Sequence, residues 1–469
     1  MKNPLLTITL SLVLAALSYG QGAAPTPTPS EVDVVKISTA LIQIDVTVTD
    51  KKGKIIPDLR RDEIEIYENG KKQDLSHFGF VSNVRETSER PKADKGAPLP
   101  ILPPSAVKPE RVRRTIALVV DDLTLSFEST YFVRRALKKF VDEQMQDGDL
   151  VAIIRTGAGI GALQQFTTDR RQLYAAIENV KWNSIGAGGI GAFAPLQARM
   201  DAGDDEDEPQ AGERTPEGIE REFNDFRTSI FATGTLGAIN YVVRGMAELP
   251  GRKSVLLLSD GFRLFTRDAS GNIESTRMLE SLRRLVDQAN RASVVVYTMD
   301  ARGLQVPGLI AADHTSGRTP EQIQEAMSDR SEQLRETQDG LRYLARQTGG
   351  ISIINNNNLV GGIRRILDDQ SYYLVGYEPD TDTFDPKTRR FNRLDVRVTR
   401  PGARVRYRSG FFGVSDEKFR KPVETGNQKL LNALTSPFAA NEIDLRLNAL
   451  FGSSPQGPYV RSFLHIPAK

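Results

Sequence analysis

The sequence predicts an α/β protein with a doubly wound, mostly parallel sheet flanked by smaller β-rich segments. Several short runs are apolar at every position, as expected of strands buried on both faces of a parallel sheet. Helical stretches separate these runs along the chain, and alternating apolar and polar residues towards both chain ends predict the flanking strands. The five continuous runs are TIALVV (115–120), LVAIIR (150–155), SVLLL (254–258), SVVVY (293–297) and ISII (351–354).

Composition excludes several classes of function. The 469 residues suffice for two to three domains. With 62 Lys plus Arg against 60 Asp plus Glu, the net charge of +2 argues against a nucleic-acid binder. Cys is absent, which excludes disulfides, thiolate zinc sites and a cysteine nucleophile. Only three histidines are present, His77, His314 and His465, too few for a His-rich metal centre.

The first 20 residues are typical of a secretory signal peptide. Lys2 supplies the positive start, Leu5 to Leu17 form a mostly apolar run, and Ser18 and Gly20 place small residues before a cleavage site. The run is shorter than the roughly 20 apolar residues of a membrane span. We therefore expect a secreted or periplasmic bacterial protein with no transmembrane segment after cleavage; the lack of Cys favours a bacterial envelope.

The flanking segments are predicted as follows. A Pro/Thr-rich linker covers residues 21–35, a hairpin or sandwich-like domain covers 36–84, and a Pro-rich linker covers 85–112. In the 36–84 segment Ile42, Ile44, Val46 and Val48 share one face, and Asn69-Gly70 predicts a hairpin turn. Strands in 371–415 are expected to pack on this domain, with 391–407 forming a hairpin that turns at Pro401-Gly402. Residues 416–469 begin either a further domain or a strand added to an existing one.

The α/β segment covers residues 113–370. Its clearest helix carries an apolar stripe at helical spacing (Ile239, Val242, Val243, Met246 and Leu249), and a second helix starts near Pro320. The Gly-rich and acidic stretch 184–222 is expected to be a long, mobile insertion that shapes the rim of any site beside it.

Oxygen-bearing residues follow two of the predicted strands, at the edge where such sheets bind ligands. Asp121, Asp122, Thr124 and Ser126 follow the first run, and Ser259-Asp260 follows SVLLL. Thr233 precedes the apolar stripe of the first helix. Carboxylates and hydroxyls without His or Cys suit Mg²⁺, which prefers six oxygen ligands.

In these residues the chain resembles the von Willebrand factor type A (VWA) family, whose metal-ion-dependent adhesion site follows the pattern D-x-S-x-S, then T, then D. Its leader EIEIYENGKKQDLSHF and the phrases QQFTTDRRQL and YYLVGYEP are similar to VWA-related proteins of Acidobacteria. The resemblance implies Mg²⁺, or Mn²⁺ in its place, and a non-enzymatic interaction protein that binds an Asp or Glu carboxylate of a partner. The implied metal ligands are Asp122, Thr124, Ser126, Thr233 and Asp260.

Three alternatives remain open. If the first strand has its usual length, Asp121 takes the ligand position, and Leu123 and Leu125 replace both hydroxyls; the Asp122 register keeps Thr124 and Ser126. The protein could instead be a metal-free structural VWA scaffold of the envelope. A metal-assisted hydrolase is a further alternative, but it requires a general base that the sequence does not supply near this edge.

Overall fold

A computed structural model of the chain describes most of the residues after position 40. The predicted signal peptide (1–20), the linker 21–35 and all but the last residue of the linker 85–112 lie outside the described residues. Among the described residues no helix is both long enough and apolar enough to cross a membrane. The described ranges are 41–82, 112–157, 165–197, 216–247, 249, 252–267, 273–274, 276–380, 383, 390–412, 425–426 and 446–467.

The described elements comprise strands and helices in the following order. The strands are β1 (Ile42–Thr49), β2 (Ile64–Glu68), β3 (Lys71–Gln73), β4 (Leu75–Val81), β5 (Arg114–Val120), β6 (Asp149–Arg155), β7 (Lys253–Ser259), β8 (Thr266–Arg267), β9 (Ile273–Glu274), β10 (Val294–Asp300), β11 (Ser352–Ile353), β12 (Tyr372–Tyr377), β13 (Phe391–Val398), β14 (Arg404–Arg406), β15 (Gly410–Phe412), β16 (Arg446–Ser454) and β17 (Gly457–His465). The helices are α1 (Phe127–Lys139), α2 (Arg170–Glu178), α3 (Pro216–Met246), α4 (Thr276–Arg291), α5 (Pro320–Gln347) and α6 (Leu359–Asp368).

The central sheet has the strand order β11-β10-β7-β5-β6, and all its pairs are parallel. Every residue of β5, β7 and β10 is buried, as their continuous apolar sequences predict. One face packs against α1, α2 and α6, and the other packs against α3, α4 and α5. Helices on both faces confirm the predicted doubly wound α/β fold class.

Two antiparallel sheets join strands from before and after the α/β segment. Their orders are β14-β1-β12-β4 and β15-β13-β2-β3. Ile44 pairs with Val375, and Ile66 pairs with Val396, so residues far apart in sequence share one buried core. The predicted hairpin at 391–407 is wrong, because β13 pairs with β2 and β15 while β14 pairs with β1 in the other sheet. The chain crosses between the sheets at the predicted turn.

Buried charged groups join these two sheets to the α/β layer. The Arg252 guanidinium donates to the hydroxyls of Thr47 at 3.2 Å and Tyr297 at 3.0 Å. Tyr297 in turn donates to Asp369 at 3.0 Å, and Arg406 of β14 donates to the same carboxylate at 2.9 Å. Because these groups are largely buried and bonded across the junction, they fix the α/β layer against the antiparallel sheets.

The C-terminal hairpin is formed by β16 and β17, in which Arg446 pairs with His465 at the open end and Ser454 pairs with Gly457 at the turn. Within the described part of the chain these strands pair only with each other. Their large apolar side chains are exposed, including Leu447 and Phe451.

The predicted mobile insertion at 184–222 has two structured parts. Residues 216–222 form the start of α3, so the helix begins well inside the predicted insertion. Residues 184–197 form a loop held by backbone hydrogen bonds, because their many glycines allow close approach to a neighbouring segment. Residues 198–215 lie outside the described residues.

Candidate functional site

The carboxyl-terminal edge of the parallel sheet carries an oxygen group after each of four neighbouring strands. Asp121 follows β5, Thr156 follows β6, Asp260 follows β7, and Asp300 ends β10. Parallel strands end at one edge, which is where ligands bind in open sheets of this type. The candidate site is built at this edge.

Asp121 is fully buried and accepts four hydroxyl hydrogen bonds. Thr124 and Ser259 donate to Oδ2 at 2.6 and 2.7 Å, and Thr235 and Thr156 donate to Oδ1 at 2.6 and 3.0 Å. Burial raises the pKa of Asp121, and the hydroxyl bonds oppose that rise. A carboxylate has about four acceptor positions, so this one is saturated by the protein itself. Asp121 therefore ties four segments together at the sheet edge.

The choice between the Asp121 and Asp122 registers assumed an extended strand that continues past Asp121. The backbone turns directly after Asp121, whose carbonyl accepts from the N–H groups of Thr124 and Leu125, both at 3.0 Å. The alternation of an extended strand therefore does not continue past Asp121. Asp121 takes the buried position, and Thr124 still reaches it; Leu125 is buried and Leu123 is half-buried.

Asp122 turns towards the end of β6. Its Oδ1 accepts from the Gly157 N–H at 2.7 Å and lies 3.2 Å from the Thr156 hydroxyl oxygen, whose proton is donated to Asp121. The Arg155 guanidinium lies 3.8 Å from its Oδ2. The side chain is largely buried, so Asp122 holds the loop after β6 against the loop after β5.

Ser126 and Asp260 are in direct contact. Ser126 caps α1, accepting the Ser129 N–H at 3.2 Å, and its own N–H donates to Asp260 Oδ2 at 2.8 Å. Asp260 Oδ1 is buried and has no hydrogen-bond partner among the described residues. Burial raises the pKa of Asp260 to about 6, although the nearby Arg302 charge, the Ser126 N–H and the Ser129 hydroxyl favour the ionised form. An unpaired buried carboxylate oxygen is costly unless a proton or a cation meets it.

Arg302 supplies the positive charge closest to this part of the edge. Its guanidinium forms a bidentate pair with Asp300, at 2.8 and 2.9 Å, and donates to the Thr337 hydroxyl at 3.1 Å. Gln338 also donates to Asp300 at 2.9 Å. Because Arg302 is committed to Asp300, it does not neutralise Asp260 through a direct ion pair.

Thr233 does not lie in this cluster. It is exposed on α3, and its hydroxyl donates to the Ser229 carbonyl one turn earlier, at 2.9 Å. Thr235, two residues later, is fully buried and reaches Asp121. The reason is helical geometry: Thr235 lies four residues before Ile239 and so falls on the buried stripe, whereas Thr233 is rotated away from it. Extending the apolar stripe backwards from Ile239 would have identified Thr235.

A loop that we call the strap (residues 183–197) lies over the segment 123–128. The Ala187 N–H donates to the Leu123 carbonyl at 2.7 Å. The first two amides of α1, those of Phe127 and Glu128, donate to strap carbonyls at 3.0 and 3.1 Å. These amides have no partner within their own helix, so the strap satisfies them. A Cβ on Gly188 would lie 2.1 Å from the Leu125 carbonyl oxygen, which shows how closely the strap packs.

A buried ion pair fastens the other end of the strap. Asp313 and Arg330 of α5 approach to 2.7 Å, with side chains only 2% and 6% exposed. Asp313 also accepts the Leu196 N–H at 2.7 Å, and Arg330 donates to the Ala194 carbonyl at 2.8 Å. The Arg330 guanidinium holds the pKa of Asp313 well below its usual range. The strap is thus fixed both to the 123–128 segment and to α5.

A divalent cation fits the donors at this edge in part. Three of the five predicted ligands, Thr124, Ser126 and Asp260, lie close together. The Ser126 N–H donates directly to Asp260. Thr124 Oγ1 is 3.2 Å from the hydroxyl of Ser259, the residue before Asp260. All available donors are oxygens, as Mg²⁺ prefers, and Asp260 Oδ1 is the unsatisfied one. Among the described residues no group of three or more His, Cys, Asp or Glu could hold a metal ion. A cation here would therefore depend on hydroxyls and solvent.

Sequence reasoning missed three residues of the edge: Thr156, Thr235 and Arg302. It placed Ser259 beside Asp260 but assigned it no role. Thr156 could have been found, because it directly follows the LVAIIR run. The pairing of Arg302 with Asp300 gives no comparable signal in the sequence.

Comparison with solved structures finds weak similarity. An aerotolerance-related membrane protein from Bacteroides fragilis NCTC 9343, with multiple mutations to serines, is 13% identical; the match covers 55% of this chain and 97% of that chain, with a TM-score of 0.29. The conserved hypothetical protein BatB from Bacteroides thetaiotaomicron is 15% identical over 54% of this chain and 97% of that chain, with a TM-score of 0.26. No protein-family model and no curated protein matches the chain.

Proposed function

We propose that this chain is a non-enzymatic binding module that holds a divalent cation at the carboxyl-terminal edge of its parallel sheet and receives a carboxylate of a partner protein there. One observation carries the proposal: Asp260 is buried, its Oδ1 has no hydrogen-bond partner among the described residues, and the residues Thr124 and Ser126, which carry hydroxyl groups, lie close by. The oxygen chemistry of that edge and the VWA-like sequence pattern support it.

The cation would be held by Asp260 and by the hydroxyls of Ser126 and Thr124. Each hydroxyl oxygen has two acceptor positions; the described contacts of Ser126 use one, as it accepts the Ser129 N–H. When bound, Mg²⁺ or Mn²⁺ would supply a Lewis-acidic position that an external carboxylate completes. Asp121 would position Thr124 and Ser259 rather than bind the cation, because its acceptors are filled. The predicted ligand roles of Asp122 and Thr233 stay predictions.

The protein's own residues would set access to this position. The strap occupies the amides at the start of α1, so those donors are engaged before any partner arrives. A partner carboxylate would therefore approach Asp260 beside the strap rather than over the helix terminus. Partner selection would follow from the residues that rim this opening.

The test is binding of a fluorescein-labelled hexapeptide that contains three glutamates and one phenylalanine, measured by anisotropy. We expect binding in 5 mM Mg²⁺ (an assay condition of roughly ten times a weak site's Kd), loss of binding in EDTA, and loss in Asp260→Asn. Asp147→Asn, which removes an exposed carboxylate elsewhere, is the matched control and should bind like the wild type. Equal binding with Mg²⁺ and with EDTA would overturn the proposal.

A metal-free scaffold is the second candidate, and the saturation of Asp121 by four hydroxyls favours it. In that case the hydroxyl cluster and the strap are structural features only. The same titrations separate the two candidates, because a scaffold predicts no Mg²⁺-dependent binding of the acidic peptide in any variant.

A further inference from the structure

A crevice of about 910 Å³ opens beside the candidate site, between the strap and α5. Apolar side chains line its strap side and its rim, notably Ile190, Phe193 and Phe265. Ile190 is 73% exposed and Phe265 is 48% exposed. The volume lies in the range of ligand-binding clefts, and large apolar side chains exposed beside a cleft mark an interaction surface.

The opposite wall of the crevice is acidic. Asp329, Glu332 and Glu336 follow one another at i, i+3 and i+7 on α5, so they share one helix face, and Glu128 adds a carboxylate from α1. The lining contains four carboxylates and two guanidinium groups. One of those guanidiniums, on Arg263, already pairs with Glu336 at 3.3 Å. The crevice therefore carries excess negative charge next to an apolar surface.

We propose that this crevice binds a segment of a partner protein that presents one large apolar side chain flanked by lysines or arginines. The apolar side chain would pack against Ile190 and Phe265, and the cations would face the acidic helix face of α5. Buried apolar anchors supply most of the affinity of such interfaces, while complementary charges at the rim select the partner.

This proposal goes beyond the proposed metal-dependent function and needs no metal. The two surfaces nevertheless adjoin. Glu128 lies two residues after Ser126, and the Thr337 carbonyl, at the α5 end of the crevice, accepts the Phe262 N–H at 3.3 Å just after Asp260. A segment seated in the crevice would end beside Asp260.

The experiment measures anisotropy of a labelled hexapeptide with three lysines and one phenylalanine, in EDTA, so that metal chemistry plays no part. Two matched peptides test the charged and the apolar part of the peptide separately. In one, glutamates replace the lysines; in the other, serine replaces the phenylalanine. The protein variants are the double substitution Asp329→Lys with Glu332→Lys, and the control Asp74→Lys with Glu378→Lys. All four positions are exposed, and the control pair does not line the crevice.

We expect the lysine–phenylalanine peptide to bind the wild type and the control variant equally. The crevice variant should bind it about tenfold more weakly or worse, because two attractive charges become repulsive. The glutamate peptide should not bind in EDTA, and the serine peptide should bind more weakly than its parent. No binding to the wild type, equal binding to both double variants, or equal binding of the serine peptide would each overturn the proposal.

Discussion

Replacing Thr235 by Val removes one hydrogen bond to Asp121 and almost nothing else. Val keeps the shape and β-branching of Thr, and position 235 is fully buried, so no solvent replaces the lost hydroxyl. The bond is 2.6 Å long and its acceptor is a buried carboxylate. Hydrogen bonds to charged groups contribute about 1.5–3 kcal/mol. We therefore expect Thr235→Val to lower the free energy of unfolding by about 2 kcal/mol.

Thr233→Val is the matched control, since the same substitution two residues away removes a hydroxyl that is exposed and bonded only within its helix. Its expected effect is within about 0.5 kcal/mol. Urea unfolding followed by the fluorescence of Trp182, the single tryptophan, measures both. With a slope of about 3 kcal/mol per molar urea, the Thr235 variant should unfold at about 0.7 M less urea. If both variants unfold with the wild type, or if Thr233→Val is the more damaging, the hydroxyl cluster is not organised as described.

Three further predictions concern the strap and the carboxylate beneath it. Gly188→Ala should displace the strap and change the emission of Trp182. Gly189→Ala should leave the emission unchanged, because a Cβ at position 189 meets nothing closer than 3.7 Å. Identical emission spectra of the two variants would contradict the described packing of the strap. Asp313→Asn should speed hydrogen exchange of the strap amides at least tenfold (about 1.4 kcal/mol), because it leaves the buried Arg330 guanidinium without its counter-charge. Asp339→Asn, which removes a carboxylate from an exposed ion pair, should not change these rates. Equal exchange rates in the two variants would contradict the role of the buried ion pair. Burial raises the pKa of Asp260 from its ordinary 3.8 to about 6, so the folded state binds more protons than the unfolded state between these values. Without metal, the stability should therefore fall by about 2 kcal/mol between pH 4 and pH 7. Asp260→Asn should lack this loss, and a parallel pH dependence in both proteins would refute it.

The sequence predicts the central sheet well, because burial on both faces leaves a local signature. Each of the five apolar runs coincides with a strand to within three residues at either end. The turn at Asn69-Gly70 also follows from local chemistry, since both residues have positive φ there. Thr319 and Pro320 start α5 as a capping residue and an N1 proline.

Non-local pairings account for what the sequence did not predict. The alternating pattern of β13 and β14 shows that each is a strand, but only tertiary pairing assigns them to different sheets. The strap is unrecognisable locally, because glycines that fit against the 123–128 backbone look the same as glycines in a mobile loop.

At the candidate site the sequence predicted that Ser126 and Asp260 lie at one edge of the sheet, but it did not predict every side chain there. Asp260 and Ser126 meet as the motif implies, because both lie at fixed ends of regular elements. The sequence left the choice between Asp121 and Asp122 open and missed Thr235. The first depends on where a strand ends and the second on the rotation of a helix, and each changes with a shift of one or two residues.

The most direct test of the central claim is calorimetric titration of Mg²⁺ and Mn²⁺ into the protein beside Asp260→Ala and the control Asp147→Ala. We predict stoichiometric binding to the wild type and to Asp147→Ala, and no binding to Asp260→Ala. Absence of heat and of any thermal shift in the wild type would contradict the proposed cation site and leave the edge as a metal-free scaffold.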